Sequence, residues 1–223
     1  MTISKFFVSG ERKERDEKFI MSYCEEKIKD FLEKTSSTES MPGGGVVSAL
    51  VAAEGASLAL KVCNLSLGKE KYKEYEQLIK ESITKLTLLR ETFYKLMDKD
   101  AANFKAMEEV YKMPRGTEEE KEKRKAALKS ACTICCDTPL EIITFSLELA
   151  RISMALNGKS NVTAASDLKI ASMFAEAAIR AAWENVEINV KYADDEALKK
   201  QIEPIKMQMD LLLQKSVGGN HGK

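Results

Sequence analysis

Histidine is almost missing from this chain. Its one imidazole, His221, sits in the glycine-containing last residues, which removes the commonest general base and leaves no basis for a histidine-held metal centre. An excess charge is missing too. Lys+Arg and Asp+Glu balance at 35 each, so no net field recruits nucleic acid or an anionic membrane, and neither is expected as a partner. No Gly-x-Gly-x-x-Gly follows a strand-like run, and Gly43-Gly44-Gly45 is not followed by Gly-Lys-Ser/Thr, which excludes the common nucleotide loops. Alternating β-branched runs are absent as well, which predicts an all-α protein: a helical bundle with long central helices and no sheet. No Pro/Gly/Ser linker divides the sequence, so the expected organisation is an N-terminal extension over 1–20, one helical domain over 21–215 and a disordered tail over 216–223. Five cysteines, an odd number, with no secretory apolar region at the start, suit a reducing cytoplasm without disulfides.

The most unusual stretch is Ser40-Met41-Pro42-Gly43-Gly44-Gly45 and the run from Val46 to Leu67. Three successive glycines are tolerated where the backbone needs positive φ or must lie against another surface. The run behind them is small or apolar on nearly every face, so it belongs at the centre of the fold, at an interface or in a membrane. Glu54, Lys61 and Asn64 interrupt it and no aromatic anchors flank it, which argues against the membrane.

Helical spacing predicts a first amphipathic helix from Arg12 to about Lys34 and a long one from Lys69 to about Met113. Its seam runs Tyr72, Ile79, Leu86, Phe93 and Met107 with Tyr75, Leu89, Leu96 and Val110; Asp100 and Asn103 fall inside that seam, where a carboxylate is expensive unless paired. Thr117-Glu118-Glu119-Glu120 opens a helix to about Cys136, and Thr138-Pro139-Leu140-Glu141 opens another, closed by Asn157-Gly158. Cys132, Cys135 and Cys136 read as small buried residues, with no metal site. A last central helix begins at Asn161–Asp167 and reaches about Tyr192; its alanine seam ends on Asn185 and Asn189. A final helix spans Asp194 to about Lys215.

Asp100, Asn103, Arg124, Asp167, Asn185 and Asn189 suit acid/base chemistry on an uncharged or cationic ligand. Plainer readings stand beside these. Asp167 is placed to cap a helix, Arg124 to pair with Glu120 one turn back, and the two asparagines to lock helix register.

Pro42-Gly43-Gly44-Gly45, Asn64-Leu65-Ser66-Leu67-Gly68-Lys69-Glu70-Lys71-Tyr72, Asp100-Ala101-Ala102-Asn103-Phe104, the stretch from Pro114 to Arg124, Thr138-Pro139-Leu140, Ser166-Asp167-Leu168 and Asn185-Val186-Glu187-Ile188-Asn189 together resemble the cyclodeaminase/cyclohydrolase family, over about Met21 to Asn189. The resemblance implies an all-helical homodimer that takes a tetrahydrofolate derivative as substrate, with no tightly bound cofactor. For such a substrate Asp167 is the expected catalytic acid/base, and Asp100 is the second catalytic residue, stabilising the cationic methenyl product or orienting the pterin edge. Pro42, Gly43, Gly44, Gly45, Asn64, Asn103, Arg124, Ser166, Asn185 and Asn189 are expected to bind the substrate. By charge alone, Arg124 or the lysines Lys69 and Lys71 are the candidates to meet the substrate's glutamate tail. The expected reaction is cyclisation of 5-formimidoyltetrahydrofolate to 5,10-methenyltetrahydrofolate with loss of ammonia; hydrolysis of the methenyl ring in the same pocket is the alternative, and a non-catalytic helical module the alternative from another class. Two departures stand out: Val46 where the family has serine, and Gly158-Lys159-Ser160-Asn161 where it has Gly-Asn.

Overall fold

The computed structural model describes residues 22–218. The expected extension over 1–20, the early part of the helix expected from Arg12, and the tail beyond 218, with His221, lie outside the described residues. Six α-helices follow in order: α1 Ile28–Thr35, α2 Gly44–Ser66, α3 Glu76–Lys112, α4 Glu118–Leu156, α5 Ala165–Ala193 and α6 Glu196–Gly218. Three short 3₁₀ turns, Tyr23–Glu25, Glu70–Tyr75 and Val162–Ala164, complete the regular structure. The described residues contain no strand, so the all-α expectation holds.

Helix α2 is the packing centre, lying against α3, α4 and α5. Its small residues allow this. Val46, Ala49, Ala52, Ala56 and Ala59 are fully buried, and a Cβ on Gly55 would come within 3.1 Å of the Ala171 carbonyl and 3.1 Å of Phe174 Cβ. Neighbouring backbones can approach this closely only across small side chains. α2 is long and apolar enough to cross a membrane, with mean hydropathy 1.7, yet 61% of the relevant window is buried inside the protein. Its second half is tied to the start of α5: Asn161 donates its side-chain Nδ2 to the Leu65 carbonyl at 3.0 Å, and its backbone N–H to Ser66 Oγ at 2.8 Å.

Several boundaries differ from those the sequence predicts. The first helix opens at Ile28, after a 3₁₀ turn held to α3 because the Tyr23 N–H donates to Asp98 at 3.0 Å. The long helix opens at Glu76 rather than Lys69; the preceding 3₁₀ turn carries Tyr72 inward, where its hydroxyl accepts the Val162 N–H at 3.1 Å. The two helices expected around Thr138-Pro139 are one, because α4 runs straight through Pro139. Proline leaves the carbonyl four residues back without its helical partner. That carbonyl belongs to Cys135, and Asn189 Nδ2 on α5 donates to it at 3.3 Å. The capping box at Thr117 and Glu120 is present as expected. Gly68 and Gly158 end their helices at φ +71° and +73°, a region glycine enters without strain.

Candidate active site

Gly44 and Gly45 do not form a turn; they are the first two residues of α2, and Gly43 caps it with extended backbone. None of the three has positive φ. Close approach is therefore the reason for the glycines. A Cβ on Gly45 would lie 2.3 Å from both carboxylate oxygens of Asp100, and one on Gly44 would lie 3.5 Å from Asn185 Nδ2. The carboxylate of α3 thus rests on the bare start of α2. Among the described residues no cation pairs with it, and burial pushes it from its ordinary 3.8 up to about 6, while the Val46 N–H directed at it offsets part of that rise.

Asp100 opens into a cavity of about 440 Å³ between α3, α4 and α5. Phe104, Met107 and Tyr111 continue along the same stripe of α3, Arg124, Leu128, Cys135 and Pro139 face them from α4, and Asn185, Ile188, Asn189 and Tyr192 close the third side. Asn185 and Asn189 spend their Nδ2 groups on protein carbonyls, Ala181 at 3.0 Å and Asn185 at 2.8 Å. Their Oδ1 atoms accept no bond from the described residues. The polar lining near Asp100 is therefore rich in acceptors and suits a ligand that presents N–H donors or positive charge. Asn103, one turn beyond Asp100, serves the architecture instead: its Nδ2 donates to Thr138 Oγ1 at 3.0 Å and to the Ile134 carbonyl at 3.2 Å, which fixes α3 on α4 beside the proline. The Cys135 thiol is pushed up to about 11, chiefly by burial, so a thiolate nucleophile is not available near neutral pH. Cys63, Cys132 and Cys136 are buried as well.

The structure therefore brings together Asp100, Arg124, Asn185, Asn189 and the glycines that follow Pro42. It does not bring Asp167 to them. Asp167 sits in the first turn of α5, where it pairs with Lys61 of α2 at 2.7 Å, and 18 residues, about 27 Å of helix, separate it from Asn185. Ser166 and Asn64 share that remote end, as do Lys69 and Lys71. Nor does Arg124 pair with Glu120, whose carboxylate is occupied by the N–H groups of Gly116 and Thr117 at 2.7 and 3.0 Å. Tyr111 and Tyr192 are lining residues that the sequence does not single out, and Cys135, read there only as a small buried residue, is part of the lining too. A signal exists for the tyrosines: Tyr111 continues the 4-3-4 spacing from Asp100 through Phe104 and Met107, and Tyr192 follows Asn185 and Asn189 at 4-3 spacing.

A cavity lined by one carboxylate without a cation partner, one arginine and the aromatic side chains Phe104, Tyr111 and Tyr192 can hold a small organic molecule and exchange a proton with it. Comparison with known proteins narrows the class. The sequence profile of the formiminotransferase-cyclodeaminase family matches residues 27–206, and the chain belongs to this family. It is 35% identical to the methenyltetrahydrofolate cyclohydrolase of Methylorubrum extorquens over 176 residues, 79% of this chain and 85% of that one. It is 28% identical to the mouse formimidoyltransferase-cyclodeaminase, covering 81% of this chain but only 33% of that longer protein. The crystal structure of formiminotetrahydrofolate cyclodeaminase from Thermotoga maritima superposes with a TM-score of 0.74 at 25% identity, covering 85% of this chain and 93% of that one.

Proposed function

We propose that the protein acts on a tetrahydrofolate at the carbon bridging N5 and N10, and hydrolyses 5,10-methenyltetrahydrofolate to 10-formyltetrahydrofolate. The observation that carries this reading is the Asp100 carboxylate, unpaired and pushed up to about 6 at the floor of the cavity. The methenyl bridge is a cation, and an unpaired carboxylate in a partly dry cavity attracts it. Water adds to the bridging carbon and gives one proton to Asp100. The hydroxyl of the adduct then loses its proton as the C–N5 bond breaks, N5 takes up a proton, and the formyl group stays on N10 with one proton released overall. A group with a pKa near 6 can serve as base and then as acid near neutral pH.

The sequence by itself ranks deamination first. Two considerations reverse the order: the cyclohydrolase relative is matched at 35% identity over 85% of its own length, and the cavity offers one carboxylate rather than two. Deamination remains the second reading because the Thermotoga structure carries that name. Acting on the formimidoyl group in its protonated form, it would use the same group to take the N10 proton and return it to departing ammonia. Offering both compounds to the purified protein, while following methenyl absorbance and ammonia, decides between them. Accelerated decay of the methenyl compound, without ammonia from the formimidoyl compound, is the expected result. Ammonia release with methenyl formation would establish the second reading. Indifference to both compounds would leave a helical interaction module.

The proposal includes a homodimer in the cytoplasm. The outward stripe of α2, Val47, Leu50, Val51, Glu54, Ser57, Leu58, Lys61 and Leu65, is not fully covered within the chain. It is also self-complementary. Two copies crossed antiparallel about Ser57 and Leu58 set Leu50 against Leu65 and Glu54 against Lys61. In this arrangement Asp167 orients Lys61 at the interface, and the chemistry stays on Asp100.

A further inference from the structure

The cavity has a polarity that the reaction itself does not require. Asp100 is the one carboxylate in its lining and Arg124 the one cation. Arg124 Nε donates to the Val110 carbonyl at 3.2 Å, which fixes the guanidinium at the level of residue 110 on α3, ten residues or about 15 Å from Asp100. Its two Nη groups meet no carboxylate among the described residues. The acids that could have neutralised it are engaged elsewhere: Glu120 in the capping box, Glu118 with Lys121 at 2.7 Å, Glu119 with Lys123 at 2.7 Å and Glu109 with Lys112 at 2.7 Å. A half-buried guanidinium held by its Nε, with the Nη edge open, is prepared for end-on bidentate pairing with a carboxylate. Between the two charged ends the walls are apolar, with Phe104, Met107, Leu128 and Ile188.

We infer that Arg124 binds the α-carboxylate of the substrate's first glutamate and so fixes the direction in which a tetrahydrofolate lies in the cavity. The inference rests on the tetrahydrofolate reading above. With the bridging carbon at Asp100, the p-aminobenzoyl ring lies between Phe104, Met107, Leu128 and Ile188. The arm from bridging carbon to α-carboxylate is on the order of 10 Å long when extended, and one charge-assisted pair closes the remaining gap to Arg124. A ligand inserted the other way would set its carboxylate against Asp100 and its cation against Arg124, so both ends reject the reversed pose.

Arg124 also satisfies a carbonyl at the end of α3, so a purely architectural role is the competing explanation, and the test has to separate the two. Arg124→Gln and Arg124→Lys are assayed on methenyltetrahydrofolate and on the methenyl form of tetrahydropteroate, which lacks the glutamate. The expected result is a loss of about 10- to 100-fold in kcat/KM for Arg124→Gln on the glutamyl compound, carried mainly by KM. Arg124→Lys should lose less, and either variant should change less than about threefold on the pteroate compound. The unsubstituted protein should itself prefer the glutamyl compound by a similar factor, a readout that needs no variant to fold. Equal losses on the two compounds, or no preference in the unsubstituted protein, would overturn the assignment of Arg124 while leaving the folate reading intact. No turnover of either compound by the unsubstituted protein would overturn the hydrolase reading on which this test rests, and this inference with it.

Discussion

Replacing Asp100 by asparagine keeps the shape that rests on Gly45 and an oxygen for the Val46 N–H, but removes the charge. The rise of the Asp100 carboxyl from 3.8 to about 6 means that the folded protein resists its ionisation. The full linkage value is about 3 kcal/mol, and water at the cavity mouth screens part of it, which leaves about 2 kcal/mol. The sign follows from the direction of the rise. Because the folded-state value is the higher one, the cost is present above about pH 6 and disappears as pH falls toward 4. Asp100→Asn should therefore be more stable than the unsubstituted protein by about 2 kcal/mol at pH 7.5, and the advantage should vanish by about pH 4. Turnover should fall by about 10²- to 10⁴-fold, as expected when an acid/base group is lost. In the unsubstituted protein kcat/KM should decline below an apparent pKa near 6. Urea denaturation at pH 7.5, 6.0 and 4.5, with a rate assay on the same preparations, makes the measurement. A variant that is less stable at pH 7.5, or a stability difference that does not depend on pH, would refute the claim of an uncompensated carboxylate; retained turnover would remove Asp100 from the chemistry.

The glycine pair provides a contrast within one turn of helix. Gly45→Ala puts a methyl 2.3 Å from the Asp100 oxygens and should displace that side chain, lowering kcat by about 10²-fold or more in a protein that circular dichroism still shows to be helical. Gly44→Ala adds a methyl at an ordinary 3.5 Å from Asn185 and should raise stability by about 0.5–1 kcal/mol in chemical denaturation; a loss of stability as large as that at position 45 would contradict the proposed geometry. For the dimer, Glu54→Lys sets like charges against Lys61 of a second copy. It should weaken self-association by about tenfold at low salt in sedimentation equilibrium and recover as salt rises, whereas an unsubstituted protein that stays monomeric at micromolar concentration would end the proposal.

Much of the fold could be read from the sequence because its signals are local. The seam residues Ile79, Leu86, Leu89, Phe93, Leu96, Met107 and Val110 are buried as their spacing required, and the Thr117–Glu120 box starts its helix. Thr138-Pro139 misleads for an identifiable reason. Proline at a first helical position and proline inside a helix look alike in sequence, and the difference lies in whether the carbonyl four residues earlier finds a partner. Here it does, in Asn189, fifty-four positions from Cys135 along the chain. Only the packed bundle reveals that donor.

The site was legible in part, and the dividing line is physical. Asp100, Asn185 and Asn189 betray themselves as polar residues in stripes that should be dry, and all three line the cavity. Asp167 carries no such contradiction. It is an acid in the first turn of a helix, where acids are favoured in any case, and the structure gives it a lysine partner rather than a place beside Asp100. Arg124 shows the converse. Sequence spacing offers it Glu120, yet the capping box takes that carboxylate first, because satisfying the N–H groups at a helix start is worth more than an exposed ion pair one turn along. The guanidinium is left open toward the cavity as a result. Its availability for a ligand thus follows from how α4 begins, four residues away, and a substitution at Glu120 would act on the cavity through Arg124 without touching any ligand.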